Sequence, residues 1–146
     1  CVRFYKDEYK SACAEKIIAA AIRDPYSNIG TYCSINPTLT SPKFYREHVC
    51  NEYDRKILTK YRTGSHNLRI QTGRQNRESR HERLCVCKSD IQTLDHVLFY
   101  CNRTENLRTH HIMRNSDLER FFKCENYVHV SAIIRSMERI LKIKYY

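Results

Sequence analysis

Apolar residues recur every three or four positions along much of this chain, which is the spacing that places side chains on one face of an α-helix. In the N-terminal part the pattern predicts a first helix over residues 3–23, which Pro25 ends. Residues 26–40 contain several turn-forming residues, so we expect a connection there. Residues 1–40 are therefore expected to form an upstream helical segment and a linker.

A second helix is expected to begin at Ser41-Pro42, a capping residue followed by a first-turn proline, and to end at Gly64 in a left-handed cap. Its stripe recurs every four residues: Tyr45, Val49, Tyr53, Ile57 and Tyr61. An aromatic stripe can stack on nucleic-acid bases, but at strict helical spacing it more often packs in a core, and we assign it there.

The C-terminal half shows the same spacing in four further segments. They are a helix over residues 91–100, a polar helix over 102–114, a short segment opened by a capping box at Ser116–Glu119, and a last helix over 127–144. With only three glycines and three prolines, the chain has few turns for many short strands. We therefore predict a mainly α fold, in which residues 41–146 form a small multi-helix, zinc-binding module.

Four residues in the middle of the chain have the spacing of a metal site. Cys85 and Cys87 form a C-x-C pair, His96 follows after eight residues, and Cys101 after four more. Three thiolates and one imidazole complete a tetrahedral ligand set for Zn²⁺. An ion bound there would join a turn to a helix. The alternative is three cysteines and a core histidine without metal.

His96 and Cys101 are expected on one helix, yet they are five residues apart. In an ideal α-helix that separation places two side chains about 140° apart around the axis. The helix must therefore loosen at its end if both residues are to reach one ion. His110 and His111 are adjacent on the next expected helix, where neighbouring side chains point in different directions, so we assign them to the surface.

The remaining cysteines are Cys1, Cys13, Cys33, Cys50 and Cys124, each alone in the sequence. This pattern favours a reduced, intracellular chain, nuclear or cytoplasmic, over a secreted disulfide protein, which remains an alternative. The chain has no apolar run long enough to span a membrane and no secretory leader is visible, so we expect no membrane partner.

The net charge of +10 at pH 7 predicts an anionic partner, with nucleic acid first. The positive charge is concentrated in residues 60–83, here called the basic strip, where arginine, the residue best suited to bidentate phosphate contacts, dominates. Its candidate contact residues are Arg62, His66, Arg69, Arg74, Arg77, Arg80 and Arg83. The alternative is a charged, solvated face that has no partner.

Catalytic motifs are not found. The sequence has no phosphate-binding glycine loop, no HExxH and no paired carboxylates of the kind that polymerases and nucleases use to bind metal ions. We therefore expect neither an enzyme nor a small-molecule substrate.

Several runs of residues carry a resemblance to a known family. They are RTGSHNLRIQTGR at residues 62–74, RHERLCVC at 80–87, LDHVLFYC at 94–101 and NLR at 106–108. Together they resemble the carboxy-terminal Cys-Cys-His-Cys region of non-LTR (LINE-type) retrotransposon polyproteins, over about residues 53–108. The C-x-C pair is shorter than in many members of that family.

The resemblance implies that Cys85, Cys87, His96 and Cys101 are metal ligands. It also implies nucleic-acid contacts by the basic strip, and a role as a non-catalytic tail of a reverse transcriptase that holds template RNA or target DNA. The remainder of the polyprotein would then be a further partner. The competing hypothesis is a structural or protein-interaction zinc module with incidental positive charge.

Overall fold

Helices make up most of the chain that the computed structural model describes, namely residues 2–40, 50–114 and 116–143, with side chains from residue 11 onward. Within these residues there is no strand, only an isolated antiparallel bridge between Leu84 and Ile91. The predicted mainly α, multi-helix fold is confirmed. No helix in the described part has the length and apolar character needed to cross a membrane.

Six α-helices are described. They are α1 (Val2–Arg23), α2 (Asn28–Ile35), α3 (Glu52–Arg62), α4 (Arg69–Gln75), α5 (Leu118–Lys123) and α6 (Tyr127–Ile140). Shorter segments lie between them: 3₁₀ turns at Arg80–Glu82, Asn102–Thr109 and His111–Met113, and a π-helical turn at His96–Tyr100.

The connection expected over residues 26–40 contains helix α2, so that prediction is wrong. Ser27 caps the helix, since its hydroxyl accepts a hydrogen bond from the Gly30 N–H at 2.9 Å. Gly30 is required by close packing, because a Cβ atom there would lie 2.3 Å from the carbonyl oxygen of Pro25. In the sequence Gly30 resembles a turn former. In the structure its lack of a side chain allows helix α2 to begin close to the bend at Pro25.

In the region of the second expected helix the structure describes α3, which begins at Glu52. Asn51 has an extended backbone and caps α3 by accepting a hydrogen bond from the Asp54 N–H at 2.8 Å, so no helix runs continuously through this position. Ser41-Pro42, Tyr45 and Val49 lie outside the described residues. At the other end, Gly64 adopts a φ of 67°, which confirms the predicted left-handed cap.

Three further element boundaries differ from expectation. Asp117 caps α5 in place of Ser116, and its carboxylate accepts from the Arg120 N–H at 2.8 Å. The polar helix expected over 102–114 is instead two 3₁₀ turns separated at His110, whose backbone is extended. Helix α6 ends at Ile140, where Leu141 caps it.

The core forms where α3 packs against α6 and α2 packs against α5. Its fully buried side chains are Ile35, Leu58, Tyr61, Leu68, Val97, Leu98, Phe121, Val130, Ile133, Ile134 and Met137. Val97 and Leu98 lie in the π-helical turn, so the core fixes the helix that carries His96. The boundary expected at residue 40 stays a prediction, although Ile35 belongs to this same core.

A buried carboxylate links α3 to α6. Asp54 is 1% exposed, and its side chain accepts hydrogen bonds from Ser131 of α6 and from the Asn51 side chain at 2.8 Å. The Arg135 guanidinium lies 3.3 Å from the same carboxylate. Because a buried charge must be paired and hydrogen-bonded to be tolerated, these three partners make Asp54 an attachment point between the two helices.

Replacing Asp54 by alanine is expected to lower the free energy of unfolding by about 3 kcal/mol, since the buried Ser131 and the Arg135 guanidinium of α6 and the Asn51 cap of α3 all lose their acceptor. The matched control is Glu52→Ala on the same helix, where the carboxylate is exposed and paired only with Lys56. That change should leave the free energy of unfolding nearly unaffected, because water screens this exposed pair. Urea unfolding monitored by circular dichroism compares the two, and equal effects would contradict the assignment.

Candidate metal centre

A tight turn at Cys85–Lys88, here called the cysteine turn, presents the first two thiols. The Lys88 N–H donates to the Cys85 carbonyl at 2.8 Å, and Lys88 adopts a left-handed φ of 62°. The Cys85 N–H donates to the Asp90 carbonyl at 2.8 Å, which closes the chain behind the turn. The spacing of C-x-C is thus accommodated by a β-turn whose last residue takes a conformation that usually favours glycine.

The other two side chains come from the π-helical turn at His96–Tyr100. The Cys101 N–H donates to the His96 carbonyl at 2.8 Å, a step of five residues in place of the four of an α-helix. This wider turn places residues five apart on the same face. The prediction that the helix loosens at its end is confirmed.

The four side chains meet in one cluster. The Sγ atoms of Cys85 and Cys101 are 3.7 Å apart, the Cys87 Sγ lies 3.2 Å from the His96 Nε2, and all four ligand atoms lie within 4.8 Å of one another. Cys85, His96 and Cys101 are buried, and Cys87 is partly exposed. The cluster predicted from spacing is therefore assembled by the fold, and it could hold a metal ion.

Hydrogen bonds around the cluster favour a thiolate at Cys87. Burial raises the pKa of Cys87, but hydrogen bonds from Ser89, His96 and Cys85 outweigh it and lower the pKa to about 6. The Ser89 hydroxyl lies 3.0 Å from this sulfur. Burial raises the pKa of the neighbouring Cys85 to about 12, so Cys87 ionises before Cys85.

The second nitrogen of the His96 ring faces an acidic partner. The Asp90 carboxylate lies 3.9 Å from the His96 Nδ1, on the side of the ring away from the sulfurs. An outer carboxylate of this kind is a common companion of a metal-binding histidine, because it fixes the orientation of the ring. The arrangement leaves the Nε2 atom directed at the cluster.

Thr104 supports the candidate metal centre from outside the ligand set, and no sequence pattern pointed to it. It is fully buried, and its hydroxyl donates to the Val97 carbonyl at 2.6 Å. Arg108 donates to the Cys101 carbonyl at 2.9 Å. Carbonyls at a helix end have no partner within the helix, so these two side chains complete the hydrogen bonding of the π-helical turn.

The structure corrects two of the candidate nucleic-acid contacts. Arg62 is 4% exposed and donates to the Phe122 carbonyl at 3.1 Å. His66 is 3% exposed and stacks on Tyr61, and burial lowers its pKa to about 4, so the ring is neutral at pH 7. Neither side chain reaches a ligand outside the molecule, because α3 and the segment after it turn both of them inward.

The other candidate contact residues of the basic strip lie wholly or partly at the surface, but most of them also contact the chain itself. Arg69 pairs with Glu78 at 2.8 Å, Arg74 pairs with Asp24 at 2.9 Å, and Arg80 stacks over the Tyr26 ring at 3.5 Å. Arg83 donates to the carbonyls of Ile70 and Glu78. Arg77 is exposed, with a left-handed φ of 58°. Their contact with nucleic acid stays a prediction.

The cysteines of the described chain are all free thiols. Besides the three in the cluster they are Cys13, Cys33, Cys50 and Cys124, each only partly buried. No disulfide joins any of the seven cysteines that the structure describes. Comparisons with protein-family models, curated proteins and solved structures find no match to this chain.

Replacing Thr104 by valine keeps the side-chain shape but leaves the buried Val97 carbonyl without its donor, so we expect a loss of about 1–3 kcal/mol in the free energy of unfolding. Thr109→Val is the control, because that hydroxyl also donates to a backbone carbonyl but at an exposed site. Denaturant unfolding of both variants measures the difference. A Thr104→Val variant as stable as Thr109→Val would show that the π-helical turn does not need this bond.

Proposed function

We propose that the Cys85, Cys87, His96 and Cys101 cluster binds Zn²⁺ as a structural ion. In a tetrahedral site with Zn–S bonds near 2.3 Å, two sulfurs lie about 3.8 Å apart. The 3.7 Å between the Cys85 and Cys101 sulfurs fits this spacing, and the distance from Cys87 to His96 is slightly short of the corresponding S–N edge of about 3.5 Å. Four protein ligands leave no open position, which favours an architectural role over a catalytic one.

The proposal predicts one bound zinc per chain, lost on replacing Cys87 by serine. Cys124→Ser is the matched control, since Cys124 is also a partly buried free thiol but lies outside the cluster. Zinc content after dialysis, measured by mass spectrometry, gives the result. Equal zinc in the two variants, or none in the unaltered chain under reducing conditions, would overturn the assignment.

We propose further that the module binds single-stranded nucleic acid, and one surface supports this best. It is a groove lined by Arg135, Arg139 and Lys142 with Tyr53 at one end, and it continues past Lys142 to Arg69 and Val86 of the cysteine turn. We call it the basic groove. The sequence pointed to the basic strip as the cationic surface, so this groove was not predicted.

The chemistry of the basic groove fits a nucleic-acid strand. Tyr53 is 58% exposed, and the Arg135 guanidinium lies 5.4 Å from the centre of its ring, which forms a platform on which a base can stack. The one carboxyl group lining this end, Glu138, is mostly buried, and burial raises its pKa.

The basic groove and the zinc cluster agree with the resemblance to the carboxy-terminal region of non-LTR retrotransposon polyproteins. On this proposal the chain is a non-catalytic tail that contacts template RNA or target DNA, with the rest of a reverse transcriptase as its neighbour. The zinc ion would fix the cysteine turn, and hence Val86 at the far end of the groove. The chain would bind and position the nucleic acid, while polymerisation would be carried out by another part of the polyprotein.

The double change Arg139→Gln and Lys142→Gln should weaken binding of single-stranded RNA or DNA of about 12 nucleotides. It should also make the salt dependence of log K shallower by about 1.4, because each lost phosphate contact removes about 0.7 from the slope. Fluorescence anisotropy over a series of salt concentrations measures both quantities.

The control is the double change Lys56→Gln and Lys123→Gln, which removes the same charge from exposed side chains that pair with Glu52 and Glu119. The change Arg77→Gln tests the exposed part of the basic strip in the same assay. Salt-independent binding, no binding, or equal slopes for the two double variants would contradict the proposed nucleic-acid surface.

A second candidate function is a structural or protein-interaction module. It is favoured by the internal contacts of the basic strip, since Arg62 and Arg83 bind backbone carbonyls and Arg69 and Arg74 pair with carboxylates. Two apolar side chains are also more than two-fifths exposed: Leu84, directly before the cysteine turn, and Val86, within it. This candidate predicts zinc binding without any salt-dependent affinity for nucleic acid.

A further inference from the structure

Three histidine rings meet on the surface away from the zinc cluster. The Nδ1 atom of His110 lies 3.3 Å from the Nε2 atom of His129, and the two ring centres are 5.2 Å apart. The ring of His111 lies 5.5 Å from that of His129 on another side. We call these three residues the histidine cluster. His110 and His111 are exposed and His129 is partly buried.

The backbone explains how adjacent histidines face a common neighbour. His110 has an extended backbone between the two 3₁₀ turns, so it does not share a regular helix with His111. Both rings therefore approach His129, which is held in the first turn of α6 where the Asn126 side chain accepts its N–H. The expectation that His110 and His111 point apart assumed a helix that the structure does not contain.

We propose that the histidine cluster is a second site for a divalent transition-metal ion, separate from the cysteine site and independent of the proposed function. Two imidazole nitrogens bound to one tetrahedral ion at about 2.05 Å lie about 3.3 Å apart. The observed distance between the His110 and His129 nitrogens equals this edge. The rings are also nearly perpendicular, at 87°, so neither blocks the other from a shared ion.

The donor set defines the class of ion. Imidazole nitrogen binds Zn²⁺, Ni²⁺ and Cu²⁺, whereas Mg²⁺ and Ca²⁺ prefer oxygen ligands. His110 and His129 supply two donors, and the ring of His111 packs edge-on beside that of His129. Water completes the coordination, because the cluster faces solvent. This open arrangement differs from the closed, buried set of three cysteines and one histidine.

An ion here would join two parts of the chain that are far apart in sequence. His110 and His111 follow the segment that completes the π-helical turn, and His129 begins α6. The 102–109 segment already packs against α6, so the metal would reinforce an existing contact. Because the ion binds only the folded arrangement, it raises the melting temperature as its concentration rises.

The test uses the full chain carrying Cys87→Ser, which disables the cysteine site. Zn²⁺ alone is titrated into this variant by calorimetry, with one equivalent expected to bind. Adding His129→Gln or His110→Gln should weaken this binding by at least about tenfold, since each removes a direct ligand. His81→Gln is the control, because His81 is an exposed histidine outside the cluster.

Melting curves with and without Zn²⁺ provide the second measurement. The metal should raise the melting temperature of the Cys87→Ser chain and of its His81→Gln derivative, and leave the His129→Gln derivative unchanged. Without zinc all of these variants should melt alike, since the altered histidines are at or near the surface. Zinc binding that survives His129→Gln, or no binding by the Cys87→Ser chain, would show that the histidines form only a hydrogen-bonded surface pair.

Failure of this test leaves the proposed function untouched, because the cysteine site is absent from every variant used. Conversely, if the unaltered chain binds no zinc at its cysteines, the titration of the Cys87→Ser chain still reports on the histidine cluster alone. In an unaltered chain with both sites filled, zinc content should approach two equivalents at high metal concentration and fall to one with His129→Gln.

Discussion

The hydrogen bond from the Cys101 N–H to the His96 carbonyl is the constraint on which the metal centre depends. It closes a step of five residues and thereby places both side chains on one side of the helix. In a regular α-helix they would lie about 140° apart, and only one could face the cysteine turn. The four-ligand cluster exists because the helix changes its hydrogen bonding where five residues separate two ligands.

This change is supported by the core and not by the ligands alone. Val97 and Leu98 are fully buried within the π-helical turn, while Thr104 and Arg108 take up the carbonyls at its end. Packing and hydrogen bonding therefore produce the wide turn. An ion would bind side chains that are already close together. Such preorganisation implies that metal loss loosens mainly the cysteine turn, while α3 and α6 keep their own contacts.

The sequence predicts those features that depend on periodicity and ligand spacing. The apolar stripe of α6, the left-handed Gly64 and the cluster of Cys85, Cys87, His96 and Cys101 follow from such patterns and occur in the structure. Features that depend on the close approach of two backbone segments do not follow from periodicity or ligand spacing. Gly30 resembles a turn former in the sequence, yet it lies within helix α2. A side chain at this position would collide with the backbone of Pro25.

The sequence likewise does not show which of its charged residues are buried. No sequence pattern distinguishes the buried Arg62 from the exposed Arg77, since Arg62 is buried because its face of α3 meets the end of α5 at Phe122. The same limit applies to His110 and His111, whose directions depend on a break between two 3₁₀ turns. Side-chain direction requires the backbone conformation, and short polar segments encode that conformation weakly.

The internal contacts of the arginines do not remove their effect on a polyanion. Arg83 and Arg108 donate to backbone carbonyls, and these bonds to neutral groups do not neutralise the charge of the guanidinium. A guanidinium stays protonated in such a position, so its charge still contributes to the field of a chain with a net charge of +10. That field extends over a screening length of about 8 Å at physiological salt, beyond the reach of a single side-chain contact. Arginines that hold loops together can therefore also attract a phosphate backbone, while direct contact is left to surface cations such as those of the basic groove.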